Sequence, residues 1–244
     1  MEVRAWLAGG IAQSAPWGIA LDGLLAGILW ADRRAAAREA GVHLAGPSEV
    51  GCPEDFDLPL ARCDGSGGQG WHWAAGCAFP EQRPHRAPIE VRYWTGRVDQ
   101  GASGQVAETF PQVVSDRRGR YRARRMPLIV TPCAAVVWRA VGDVDGVWDL
   151  VSGIWSVGKK RAAGEGRVLR WEVTALDEGA DRWAAAHLHP TGDLGRPTPV
   201  ECLTGRDVPT GGLGRAGLRP PYMHPARQQV LALPVFLDSD PGRL

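Results

Sequence analysis

The chain has 244 residues, 44% of them hydrophobic and 23% charged, with a formal net charge of +1. That is enough chain for a buried core, and no apolar run approaches the roughly 18 residues of a membrane span. The near-neutral balance excludes general polyanion stickiness, and five scattered cysteines do not read as a disulfide framework. The first residues, MEVRAWLAGG, lack the basic and apolar regions of a signal peptide, so a cytoplasmic location without membrane contact is expected.

Residues 2–8 (EVRAWLA) alternate polar and apolar side chains and predict a half-buried strand. LDGLLAGILWADRRAAAREA (21–40) places Leu21, Leu24, Leu25, Ile28 and Leu29 at helical spacing, with Asp22 at the N-cap or in the first turn. Residues 41–87 are rich in Gly, Pro, Cys and Trp and read as a long inserted loop region with a short hairpin. IEVRYWTGRV (89–98) alternates as a strand. The segment 99–125 is polar and arginine-rich, and 126–143 predicts a long strand bent at Pro132. Asp143 is a good N-cap for a second helix with Val147, Leu150, Val151 and Ile154 on one face, and 166–173 alternates as a closing strand.

The order β-α-β-β-α-β predicts an α+β, ferredoxin-like (RRM-like) domain over 1–175. Its insertions are 41–87 after the first helix and a thumb-like 99–125 between strands 2 and 3. Residues 176–244 are expected to form an irregular C-terminal extension or a reduced second lobe, with a late strand at 228–237.

Basic charge is concentrated locally. The only two lysines, Lys159 and Lys160, are adjacent and are followed by Arg161 in SVGKKRAAGEG (156–166). Gly158, Gly164 and Gly166 would let this loop approach a phosphate backbone, and the three cations would pair with it. It is not a Walker loop, because it follows a helix and no Ser or Thr follows the lysines. A solvated basic turn is the plain alternative. A second cluster is RRGRYRARR, with Arg117, Arg118, Arg120, Arg122, Arg124 and Arg125 around Tyr121. Arginine can pair bidentately with phosphate and tyrosine can stack on a base, although a charge run is often only a solvated loop.

LDGLLAGILW (21–30), VVWRAVGD (136–143), SVGKKRAAGEGRVLRWEV (156–173) and GLRPPYMHP (217–225) together resemble the RAMP superfamily of CRISPR-associated proteins. Within it, the chain resembles the type IV effector-complex subunit equivalent to the Cascade crRNA 5′-handle-binding subunit. The resemblance implies a crRNA-binding structural subunit of an antiviral ribonucleoprotein, capping the guide 5′ handle. Its partners would be repeated backbone subunits, a large subunit and, indirectly, target nucleic acid. Expected RNA contacts are the 158–166 loop, the arginine thumb and Arg219, with Asp22 and Gly23 in structural roles. No cofactor, metal or catalytic residue is expected.

The alternative is a metal-independent endoribonuclease that processes the guide precursor. It would draw on His85, His187, His189, His224, Tyr222 and Lys159, none of which pairs recognisably in sequence. GLGRAGLRPPYMHP (212–225) could present Arg215, Arg219, Tyr222 and His224 to RNA, but packing of Tyr222 and Met223 is favoured. Cys52, Cys63, Cys77 and His72 share one loop-rich stretch where zinc would supply order. Without a CxxC pair, buried thiols are the expected state. Trp71 and Trp73 are expected in the core or at a subunit contact.

Overall fold

In the computed structural model, the described residues are 1–13, 15–46, 49, 51–65, 70–82, 89–96 and 122–235. The chain is a mixed α/β protein built on antiparallel sheets. Strand β1 (Glu2–Leu7) keeps the predicted alternation, with Val3, Ala5 and Leu7 fully inside. It is central in a four-stranded sheet of order β4-β7-β1-β8, formed with β4 (Phe79–Gln82), β7 (Cys133–Arg139) and β8 (Val168–Thr174). Every neighbouring pair in it is antiparallel.

Two helices pack on this sheet, and the core is completed by Leu58, Leu60, Trp73, Ala75 and Ala78 of the insertion. Helix α1 (Leu21–Glu39) buries Leu21, Leu25 and Ala26, and α2 (Val144–Val151) buries Val147 and Val151. Asp143 caps α2 as expected, its carboxylate accepting from the N–H groups of Asp145 and Gly146. Trp138 and Trp171 stack with centroids 5.9 Å apart. Each indole finds an acceptor at 2.7 Å, Ile19 O and Ile154 O respectively, so burial leaves no orphaned N–H on this pair.

The structure corrects two strand assignments. The sheet's edge strand is β4, inside the region read as loop, rather than 89–98. Among the described residues, strand β5 (Glu90–Gly96) pairs with β6 (Arg124–Val130) in a separate antiparallel ribbon. The predicted 126–143 strand is therefore two strands, β6 and β7, divided at Thr131 and Pro132. A proline cannot donate to a ladder, so it falls where the chain changes sheets. The 41–87 region also holds a tight pair, β2 (Arg62–Cys63) with β3 (His72–Trp73).

Beyond β8, a short helix α3 (Arg182–His187) starts at Asp181, whose carboxylate accepts from Trp183 and Ala184 N–H. A 3-10 turn at Val200–Leu203 follows, then strands β9 (Leu213–Gly217) and β10 (Gln228–Ala232), which pair with each other. Arg196, wholly buried, ties this region to the rest. Its guanidinium donates to the carbonyls of Trp73, Ala75 and Leu218 and lies 3.8 Å from the Asp22 carboxylate.

Candidate nucleic-acid interface

The loop 156–166 leaves α2 and returns to β8 through a closed neck. Ser156 bridges Arg167, and Val157 N–H donates to Gly166 O at 2.9 Å. Gly166 has φ +64° and a side chain there would run into the Val157 carbonyl, so only glycine fits. Gly158 has φ +90°, and a Cβ there would sit 2.5 Å from Ala12 O, which also accepts from Lys159 N–H at 2.8 Å. These glycines thus serve the loop's own packing against the segment after β1. The N–H groups of Lys159, Ala163, Gly164 and Glu165 all donate within the protein. The side chains of Lys159, Lys160 and Arg161 are all exposed.

The β5–β6 ribbon stands beside the loop. Lys160, itself in the left-handed region at φ +57°, holds Nζ 3.3 Å from the centroid of the Trp94 ring. Arg92 reaches across to Glu165 at 2.7 Å and to Gly9 O at 3.1 Å, and also pairs with Glu90. The ribbon's base is pinned where Ile11 and Thr131 exchange backbone hydrogen bonds at 3.0 and 2.8 Å. Residues 9–12 are thus a hub that positions both loop and ribbon.

The ribbon has two faces. Trp94 and Arg92 face the loop, with Gly96 and Arg124 continuing that side by strand alternation. On the other side, Arg125 stacks over the Tyr93 ring at 4.2 Å. Arg122, Arg124 and Arg125 are exposed, whereas Arg117, Arg118, Arg120, Tyr121 and the rest of 97–121 lie outside the described residues. Composition alone did not mark Trp94 or Tyr93, although both stand on the alternating 89–96 strand.

Arg219 is engaged with the insertion. Its guanidinium donates to Asp55 and to Trp71 O and stacks on the Trp71 ring at 4.3 Å. It binds the C-terminal region to the insertion. Asp22 is wholly buried in the first turn of α1 rather than at the cap, which is Ala20. Its Oδ1 accepts from Tyr222 Oη at 2.5 Å and from Gly23 N–H. Burial pushes the Asp22 carboxyl above the usual carboxylate range against the opposing pull of Arg196 and Tyr222, and burial also raises Tyr222. A Cβ on Gly23 would meet the Tyr222 ring at 2.9 Å. Leu21, Asp22 and Gly23 therefore give a core anchor, a polar partner and a vacant space for one tyrosine. Met223, expected inside, is 89% exposed.

The groups weighed for ribonuclease chemistry are mostly buried or engaged within the fold. His187 is buried, His224 Nδ1 accepts from Ala226 N–H, and His189 is held by burial at about 4. Tyr222 is engaged with Asp22, Lys159 is exposed on the loop, and His85 lies outside the described residues.

The thiols and imidazoles sort differently from the sequence expectation. Cys52 is exposed and Cys77 is buried elsewhere, where burial raises its thiol to about 12. Cys63 and His72 instead meet His187 and Cys202, and their four donor atoms lie within 4.8 Å of one another. Among the described residues these four side chains form a group able to hold a metal ion. Of the thiols expected to be buried, Cys77 is, whereas Cys63 is half-buried against His187 and Cys202. His187 and Cys202 were missed because they follow more than 100 residues later.

Fold and interface together define a mixed α/β protein with a basic, aromatic-backed loop beside a two-stranded ribbon. The family model of the CRISPR type IV associated protein Csf3 matches residues 1–233, and the chain belongs to that family. No curated protein matches the chain. Among the described residues no helix is long and apolar enough to cross a membrane.

Proposed function

We propose that this Csf3-family chain is a crRNA-binding structural subunit of a type IV CRISPR effector complex, capping the 5′ handle of the guide. The observation that carries this reading is the Lys160–Trp94 contact. It joins the exposed Lys159, Lys160 and Arg161 to the arginine-bearing ribbon as one basic edge with an aromatic beneath it. Cations beside the half-buried Trp94 ring and the exposed Tyr93 ring suit a single-stranded phosphate backbone with unstacked bases. The strand order β4-β7-β1-β8, with α1 before β4 and α2 before β8, supports the ferredoxin-like reading and kinship with RAMP proteins. Val91 and Ile129, cross-strand neighbours on the ribbon and about 60% exposed, supply an apolar surface for the neighbouring backbone subunits.

The engagement of Tyr222, His187 and His224 in hydrogen bonds within the fold supports a binding rather than a cleaving role. General acid–base cleavage needs its groups converged on one 2′-hydroxyl. The test is to titrate the purified full chain, alone and with its complex partners, with its own repeat RNA across a salt series in EDTA. Salt-dependent binding with intact RNA is expected. Cleavage that a His→Ala change abolishes would install the endoribonuclease reading instead.

A further inference from the structure

The Cys63, His72, His187 and Cys202 cluster joins the 41–87 insertion to the C-terminal region, two parts that Arg196 and Arg219 also tie together. Cys63 and His72 are directly opposite on β2 and β3, so their side chains leave the same face of a ladder only two residues long. His187 is the last residue of the six-residue α3, and Cys202 lies in the 3-10 turn Val200–Leu203. None of these elements is long enough to be stable by itself. Cys63 and Cys202 are 139 residues apart in sequence.

Three of the donor separations are close to those around a single tetrahedral ion. Cys63 Sγ is 4.0 Å from Cys202 Sγ and 3.8 Å from His187 Nε2, and the two Nε2 atoms of His72 and His187 are 3.1 Å apart. Zinc bound at about 2.3 Å to sulfur and about 2.0 Å to nitrogen sets its donors roughly 3.3–3.8 Å from one another. A set enclosed within 4.8 Å has room for one ion at its centre and not for a multi-metal cluster. Two thiolates with two imidazoles in a tetrahedron select zinc over hard, oxygen-seeking cations.

The surroundings are arranged as for ligands. His187 Nδ1 is 2.8 Å from Trp183 O, so it carries the proton and leaves the Nε2 lone pair facing the cluster. Trp183 stacks on the His187 ring at 4.8 Å, and its indole N–H donates to Cys202 O at 3.0 Å. One residue thus orients two of the four donors. His72 Nδ1 has no such partner among the described residues, and that ring is buried.

We propose that Cys63, His72, His187 and Cys202 bind one structural zinc ion that staples the 41–87 insertion to the C-terminal region. All four protein positions of the tetrahedron are filled, as in structural rather than catalytic zinc sites. On binding, each thiol gives up its proton to solvent and the imidazoles bind as neutral rings. The staple is independent of whether the loop at 156–166 contacts RNA.

The test is elemental analysis of the untagged full chain, purified without chelators or metal-affinity resin. About one zinc per chain is expected. Replacing it with cobalt should give the intense visible bands of tetrahedral cobalt and thiolate-to-cobalt charge transfer. Cys63→Ser with Cys202→Ser should reduce zinc to background, while Cys52→Ser keeps it. Where the double variant fails to fold, the wild-type zinc content and cobalt spectrum decide. Folded wild type with less than about a tenth of an ion per chain after growth in zinc, or a pale octahedral cobalt spectrum, overturns the proposal. Retention of zinc by a folded Cys63→Ser, Cys202→Ser variant overturns it equally.

Discussion

The Tyr222 hydroxyl donates to Asp22 Oδ1 at 2.5 Å, while the Tyr222 ring occupies the space left by the missing side chain of Gly23. This joins the first turn of α1 to a residue 200 positions later. Tyr222→Phe should cost about 1–3 kcal/mol, because a buried carboxylate is deprived of a donor that water cannot replace. Gly23→Ala should cost about 1–3 kcal/mol by forcing the ring aside. Urea unfolding measures both, and additive losses in the double variant would deny that the two residues act as one unit.

On the basic edge, Lys159→Ala with Lys160→Ala should leave the melting temperature within a few degrees, since both side chains are exposed. Affinity for repeat RNA should fall, and the salt slope should shrink by about 0.7 for each phosphate no longer neutralised. Fluorescence anisotropy over a salt series reads both quantities. Unchanged affinity with an unchanged slope would remove the loop from the interface.

Gly166→Ala tests the neck of that loop. Its positive φ and the facing Val157 carbonyl leave no place for a Cβ. A stability loss of about 1–3 kcal/mol is expected by chemical denaturation. Gly164→Ala should cost less than Gly166→Ala, because nothing lies within 4 Å of its Cβ position and only the backbone conformation is strained.

His189 supplies a pH dependence. Burial lowers its folded pKa to about 4, against about 6.5 in an unfolded chain. Between those values the unfolded state binds more protons, so stability falls as pH drops through that window and levels below it. The contribution is at most about 3 kcal/mol. His189→Gln should flatten the stability profile over pH 4 to 6.5 by up to roughly that amount relative to wild type, read by urea unfolding at stepped pH. Parallel curves would place the acid sensitivity elsewhere.

Local chemistry accounts for the elements that could be seen in advance. Val3, Ala5 and Leu7 alternate because β1 has one face on the helices, and Asp143 caps α2 because its carboxylate reaches the first free N–H groups. The strand at 79–82 was hidden because Phe79, Pro80, Glu81 and Gln82 carry no clean alternation and pair only through β7. Arg219 reads as an RNA contact by composition, and its partners Asp55 and Trp71 come from a distant part of the chain.

From the sequence by itself came the two helices, β1, β8, the basic glycine loop and the resemblance to CRISPR proteins, all readable from neighbouring residues. Only the tertiary structure decided that Lys160 rests on Trp94, that Asp22 meets Tyr222 and Arg196, and that Cys63 and His72 meet His187 and Cys202. Periodicity and capping arise within a few residues, where backbone geometry dictates them. Pairing across as many as 200 residues depends on the path of the whole chain, which no local pattern encodes.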